Sequence, residues 1–181
     1  MVLQPFYPFV YILFIYISGV WRGIWRVNKT GEVIDKFSFD VPKPAVSVSP
    51  VEMECFYIME NGQIWAGCRI WAGCRMVNIA IMDTKNGGKV IDTIKLESRG
   101  ISIMVKMKNR MWVGTKSGTV CVVDIDTRKV TKNLKAHYDA VRALCCADDR
   151  YIISGAGSSD GKIAIWSPTD LRTDSGRYLL D

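Results

Sequence analysis

Apolar and polar residues alternate in short runs, and each run ends at a cluster of turn residues. From Ile101 the chain reads ISIMVKM, KNR, MWVGT, KSG, TVCVVD, IDTRK and VTKNLKA. A period of two over five to seven residues predicts half-buried strands, and the Asn, Gly, Lys and Asp clusters between them predict tight hairpins. Upstream, ECFYIM, the Asn61-Gly62 turn and QIWAGCR predict another hairpin. IWRVN and VIDKFSF around Lys29-Thr30-Gly31 predict two more strands, and VPKPAVSVSP, with three prolines in ten residues, predicts an extended connector.

The pattern repeats. Trp71-Ala-Gly73, Trp112-Val-Gly114 and Ile153-Ser-Gly155 stand 41 residues apart in succession, and each is followed by an alternating run, at 78–83, 119–124 and 162–167. A sheet of four short strands cannot bury its own faces, so copies of it must stack. A repeating four-stranded unit of ~40 to 45 residues is a propeller blade. The fold class is therefore all-β: an incomplete β-propeller of about three four-stranded blades plus a remnant. The expected units are an apolar segment at 1–21, a blade remnant and connector at 22–49, and blades at 50–97, 98–136 and 137–181. The hexapeptide IWAGCR occurs twice in tandem at 64–69 and 70–75. Six is even, so the insertion keeps the inside-outside alternation but overlengthens the strand, and one copy is expected to loop out.

The run AHYDAVRALCCADDRYIISGAGSSDGKIAIW, from Ala136 to Trp166, resembles a WD40 repeat over its whole length. The residues that carry the resemblance are His137, Ser154, Asp160 and Trp166. In that family a buried aspartate, histidine, serine and tryptophan form one hydrogen-bonded structural tetrad, and the resemblance implies the same here. The alternative, a Ser154-His137-Asp160 hydrolase triad, lacks a GxSxG elbow and an oxyanion loop. The copy around Trp112 has Val113 and Val123 where serine and tryptophan would stand, and the earlier copy has Ala72 and Met82. WVGTKSGTVCVVD, AHYDAV and SSDGKIAIW are also similar to the C-terminal propellers of DENN-domain Rab exchange factors and Roco-type kinases. That similarity implies a trafficking or signalling setting and other proteins as partners, small GTPases or complex subunits among them.

Composition adds three constraints. Hydrophobic residues make up 49% and charged residues 23% of the 181, as in a folded domain. The net charge of +6 is concentrated in Lys106, Lys108, Arg110, Lys116, Arg128, Lys129, Lys132 and Lys135, a candidate basic rim for an acidic protein or anionic lipid. Base-stacking aromatics are not interleaved with these charges, which disfavours nucleic acid. Six cysteines without a CxxC pair and a single histidine fit no zinc or haem site, and reduced, buried thiols in a cytoplasmic protein are expected. No P-loop or dinucleotide fingerprint is found, so no cofactor, metal or catalytic residue is expected.

Residues 1–21 carry no charge and reach the ~20 apolar residues of a membrane span. The alternative to a cytoplasmic interaction scaffold is thus a membrane-anchored protein with basic blades resting on anionic lipid. Pro5, Pro8 and the aromatic, β-branched content suit strands equally well. The tandem hexapeptide, the uncharged start and the outer strand RYLLD barely begun at Asp181 are also expected of a truncated or imperfect gene model. Three blades and a remnant do not close a ring, so self-association through an open face is expected.

Overall fold

A computed structural model describes the backbone of residues 10–15, 22–27, 30, 32–38, 52–72, 74–167 and 178–180, and side chains mainly over 54–68 and 77–167. No α-helix occurs among the described residues, and the chain forms four separate antiparallel sheets. The first holds β1 (Val10–Ile15), β2 (Arg22–Val27) and β3 (Val33–Ser38). The second holds β4 (Glu52–Ile58), β5 (Gln63–Ala72), β6 (Cys74–Asp83) and β7 (Lys89–Leu96). The third holds β8 (Ile101–Met107), β9 (Arg110–Thr115), β10 (Thr119–Asp124) and β11 (Val130–Lys135). The fourth holds β12 (Val141–Ala147), β13 (Tyr151–Ala156), β14 (Ile163–Trp166) and β15 (Tyr178–Leu180).

In the last three sheets the strands follow chain order, and β4, β8 and β12 are the strands through which neighbouring sheets meet. Two cores fill the resulting wedges. One is built on Trp65, Ile79, Ile81, Ile101, Met104, Met111 and Val113, and the other on Met107, Trp112, Val122, Val141, Leu144, Ile152 and Trp166. Successive strand residues alternate between the two, Met111 and Val113 turning one way and Trp112 the other, as a sheet buried on both faces requires.

The duplicated hexapeptide does not loop out. Arg69, Ile70, Trp71 and Ala72 pair with Val77, Met76, Arg75 and Cys74, so the second copy lengthens both arms of the β5–β6 hairpin instead of leaving the sheet. The extension is a two-stranded ribbon, because pairing with β4 reaches only Arg69 and pairing with β7 only Val77. Register also corrects the alignment of copies. Trp65, not Trp71, matches Trp112, because Trp65 lies opposite Tyr57 and Ile81 as Trp112 lies opposite Val105 and Val122. The insertion lies between Trp65 and Asp83, so the aspartates keep their 41-residue spacing while the true tryptophan pair does not.

The remnant has three strands rather than two, since Val10–Ile15 pairs with β2 along its whole length. This part of the apolar stretch is a strand and not part of a helical span; the remainder of 1–21 and the proline-rich connector lie outside the described residues. No helix among the described residues is long and apolar enough to cross a membrane.

Candidate functional site

Among the described residues, the fourth sheet carries a dense polar cluster buried inside its blade. His137 enters from the loop before β12, Ser154 from β13, Asp160 from the β13–β14 turn and Trp166 from the end of β14. His137 Nδ1 lies 2.7 Å from Asp160 Oδ2 and Nε2 lies 2.9 Å from Ser154 Oγ, while Trp166 Nε1 donates to Ser154 Oγ at 3.0 Å. A carboxylate only accepts, so the neutral ring carries its proton on Nδ1 and accepts the serine proton on Nε2. Ser154 is fully buried, and the side chains of His137 and Asp160 are 0% and 2% exposed. Each polar atom on this path is paired with the next, which removes a desolvation cost of ~1 to 3 kcal/mol for every group otherwise left alone.

The same three residues have the contacts of a hydrolase triad, yet they cannot act as one. Ser154 Oγ has no exposed surface, and the indole N–H already occupies it. A nucleophile must be reached by its substrate. Both chain segments leading into the cluster are held in place. His137 N–H donates to Gly118 O at 3.0 Å, and a Cβ at Gly118, where φ is 80°, would collide with the His137 carbonyl. Asp139 accepts from Ala140 N–H at 2.6 Å and Ser159 N–H at 3.3 Å, and these bonds hold its carboxyl below the usual range. Between these anchored neighbours Tyr138 stands 93% exposed. Spacing alone gave no sign of this residue.

The eight cations do not form one rim. Lys106, Lys108, Arg110, Arg128 and Lys129 gather where the β8–β9 and β10–β11 turns meet, through Ile125 N–H donating to Asn109 O at 3.2 Å. Lys116 sits in the β9–β10 turn at the opposite end, and Lys132 and Lys135 lie on the edge strand β11. Carboxylates interleave with them: Glu60 is 3.5 Å from Lys106, Asp92 is 2.9 Å from Arg128, and Glu54 is 2.6 Å from Lys116. Antiparallel turns alternate between sheet ends, so a run of lysines in sequence is divided in space.

Trp65 and Trp112 are fully buried in the wedges between sheets, and neither indole N–H has a partner. They act as volume. The described cysteines are free thiols: Cys55 and Cys68 are pushed up to about 12 and Cys121 to about 11 by burial, whereas Cys145 is exposed. Adjacent Cys145 and Cys146 point to opposite faces, with Cys146 packed against the core around Trp112.

A family model described as LRRK2 beta propeller matches residues 43–179. DENN domain-containing protein 3 of Mus musculus is 44% identical over 114 residues, which is 59% of this chain and 9% of that protein. The probable serine/threonine-protein kinase pats1 of Dictyostelium discoideum is 34% identical over 86 residues, 48% of this chain and 2% of that protein.

Proposed function

We propose, from the premise that this chain belongs to the LRRK2 beta propeller family, that it is a non-catalytic segment presenting propeller loops to partner proteins in a trafficking or signalling regulator. The observation that carries this reading is the contrast at residues 137 to 139. The chemistry-bearing histidine is sealed inside the blade, while its neighbour Tyr138 is offered to solvent on a loop tied down on both sides. An aromatic held this way loses little conformational freedom on binding, the property of an interface anchor.

The names of the two relatives, a DENN-domain protein and a kinase, support a regulatory setting, and the resemblance of the strands to the propellers of DENN-domain Rab exchange factors makes small GTPases the partner class to try first. The experiment is biolayer interferometry of the chain against a panel of small GTPases loaded with GDP or a non-hydrolysable GTP analogue. Saturable binding that weakens by ~2 kcal/mol or more in Tyr138→Ala is expected of an anchor residue. Binding indifferent to Tyr138, or labelling of Ser154 by a fluorophosphonate, contradicts the reading.

A further inference from the structure

The duplicated hexapeptide gives the second blade a part that its packing does not use. Eleven residues separate Gly67 from its cross-strand partner Ile79, against five between the matching Gly114 and Val120 of the third blade, and the difference is the six residues of one IWAGCR copy. The first copy supplies what the wedge requires. Trp65 is fully buried there, and Gly67 lets Ile101 of the next blade approach. The second copy supplies the ribbon in which Ile70, Trp71 and Ala72 pair with Met76, Arg75 and Cys74, beyond the reach of β4 and β7. Three residue pairs at ~3.3 Å per residue carry it about 10 Å past the four-stranded part of the sheet. A two-stranded ribbon alone is marginally stable in water, so this one gains from a surface to lie against.

Register sorts the ribbon into two faces of different chemistry. Ile70, Ala72, Cys74 and Met76 share one, and all four are apolar. Arg69, Trp71, Arg75 and Val77 share the other. No aspartate or glutamate occurs in the sequence between Glu60 and Asp83, so the only charges in this stretch are the two arginines. The ribbon rises at the end of the sheet where the β9–β10 turn lies, because Glu52 pairs with Arg69 and Glu54 accepts from Lys116 of that turn at 2.6 Å. Lys108 and Lys129, in the β8–β9 and β10–β11 turns, stand at the opposite end.

We propose that the β5–β6 ribbon is a membrane-contact tip, which turns its apolar face to the acyl boundary of an anionic bilayer and sets Arg69, Trp71 and Arg75 among the headgroups. The reach of the ribbon is comparable with the depth of about 5 to 10 Å at which interfacial segments lie. Tryptophan beside arginine suits that level, since the indole ring is amphipathic and a guanidinium can snorkel to phosphate from an apolar stem. An acidic protein or a nucleic acid would engage the arginines and leave the apolar face in water. Phosphatidylserine answers both faces at once. The inference rests on the ribbon and is independent of the partner-binding role of Tyr138.

The experiment is sedimentation of the full chain with sucrose-loaded vesicles, either of phosphatidylcholine alone or with about one-third phosphatidylserine. Binding to the anionic vesicles is about tenfold or more tighter than to the neutral ones. Arg69→Gln with Arg75→Gln weakens it about thirtyfold, the contribution of two cations at a charged surface. Lys108→Gln with Lys129→Gln, the same change of charge at the far end, leaves it within about threefold, because screening confines the attraction to charges near the lipid. Trp71→Ser weakens binding to both kinds of vesicle. Deletion of residues 70–75 restores the spacing of the third blade and abolishes binding, with the urea midpoint of the parent retained. The glutamine variants, which change no residue of the core, give the answer even where the deletion fails to fold. The proposal is overturned by absence of binding to anionic vesicles, by equal binding to both kinds, or by equal weakening from the two glutamine pairs. Binding retained by the deletion variant, as an anchor in residues 1–21 would give, overturns it too, and so does pelleting without vesicles, which would make the ribbon a contact between copies.

Discussion

The third and fourth blades share a strand order and a register, and they are held together by different chemistry. At matching positions the fourth blade has Ser154 and Trp166 where the third has Val113 and Val123, and the third has no histidine near Glu97. The third blade has apolar residues at these positions, its valines fully buried against Trp65, Ile79 and Met104, and its buried Thr115 bonds only within the β9–β10 turn, to Ser117 and Thr119. In the fourth, the polar chain from Asp160 to Trp166 ties the loop before β12 and the β13–β14 turn to the end of β14. A blade therefore does not need the tetrad to fold between two neighbours. The tetrad stands in the blade whose outer face is uncovered among the described residues, with Tyr151 and Ile163 exposed there where Trp112 and Val120 in the third blade are buried.

The largest effect is expected where the two blades differ most. Trp166→Ala removes both the ring and the donor and lowers stability by ~3 to 5 kcal/mol, read from urea midpoints. The corresponding Val123→Ala in the third blade removes only methyl groups and costs much less. A midpoint for Val123→Ala as low as that for Trp166→Ala would erase the distinction between the blades.

Ser154→Ala comes next. It leaves the indole N–H and His137 Nε2 facing each other with no oxygen between them, an expected loss of ~1 to 3 kcal/mol. Its counterpart in the third blade is already apolar, so Val113→Thr, which adds a hydroxyl without partners, should destabilise where serine at 154 stabilises. Equal tolerance of hydroxyl and methyl at both sites would show that the hydrogen bonds contribute little.

The effect that is smallest at neutral pH concerns the thiols. Cys55 and Cys68, buried in the second blade, hold their protons up to about 12, whereas the unfolded chain releases them near 9.0. The folded state then binds more protons than the unfolded state above pH 9, so stability is complete below that value and falls as pH rises toward 12. Each thiol contributes a slope of at most about 1.4 kcal/mol per pH unit. Cys68→Ala should flatten the alkaline loss relative to the parent, and an unchanged slope between pH 9 and 10.5 would assign the loss to other groups.

Much of this contrast was legible in the residues. Alternation and turn clusters marked the hairpins, and the order His137, Ser154, Asp160 and Trp166 identified the polar blade, because a buried network demands particular residue types at particular strand positions. Three features were not legible. The tandem IWAGCR preserves parity whether it loops out or lengthens a hairpin, and only the pairing of Arg69 to Ala72 with Val77 to Cys74 decides which. The same insertion made Trp71 resemble the partner of Trp112 by spacing, when cross-strand neighbours assign that place to Trp65. The lysine cluster failed for a geometric reason, since consecutive turns lie at opposite ends of a sheet.

The central claim is that an indole at 166 acts as a hydrogen-bond donor while an indole at 112 acts as volume. Paired Trp166→Phe and Trp112→Phe variants test it most directly, because both lose similar volume and differ in what happens to the N–H. Trp166→Phe should lower the urea midpoint by the equivalent of ~1 to 3 kcal/mol through the unpaired serine and histidine. Trp112→Phe removes a buried donor that has no partner, so it should lose at least ~1 kcal/mol less than Trp166→Phe and can equal the parent. Equal losses in the two variants, or a greater loss at 112, would contradict it.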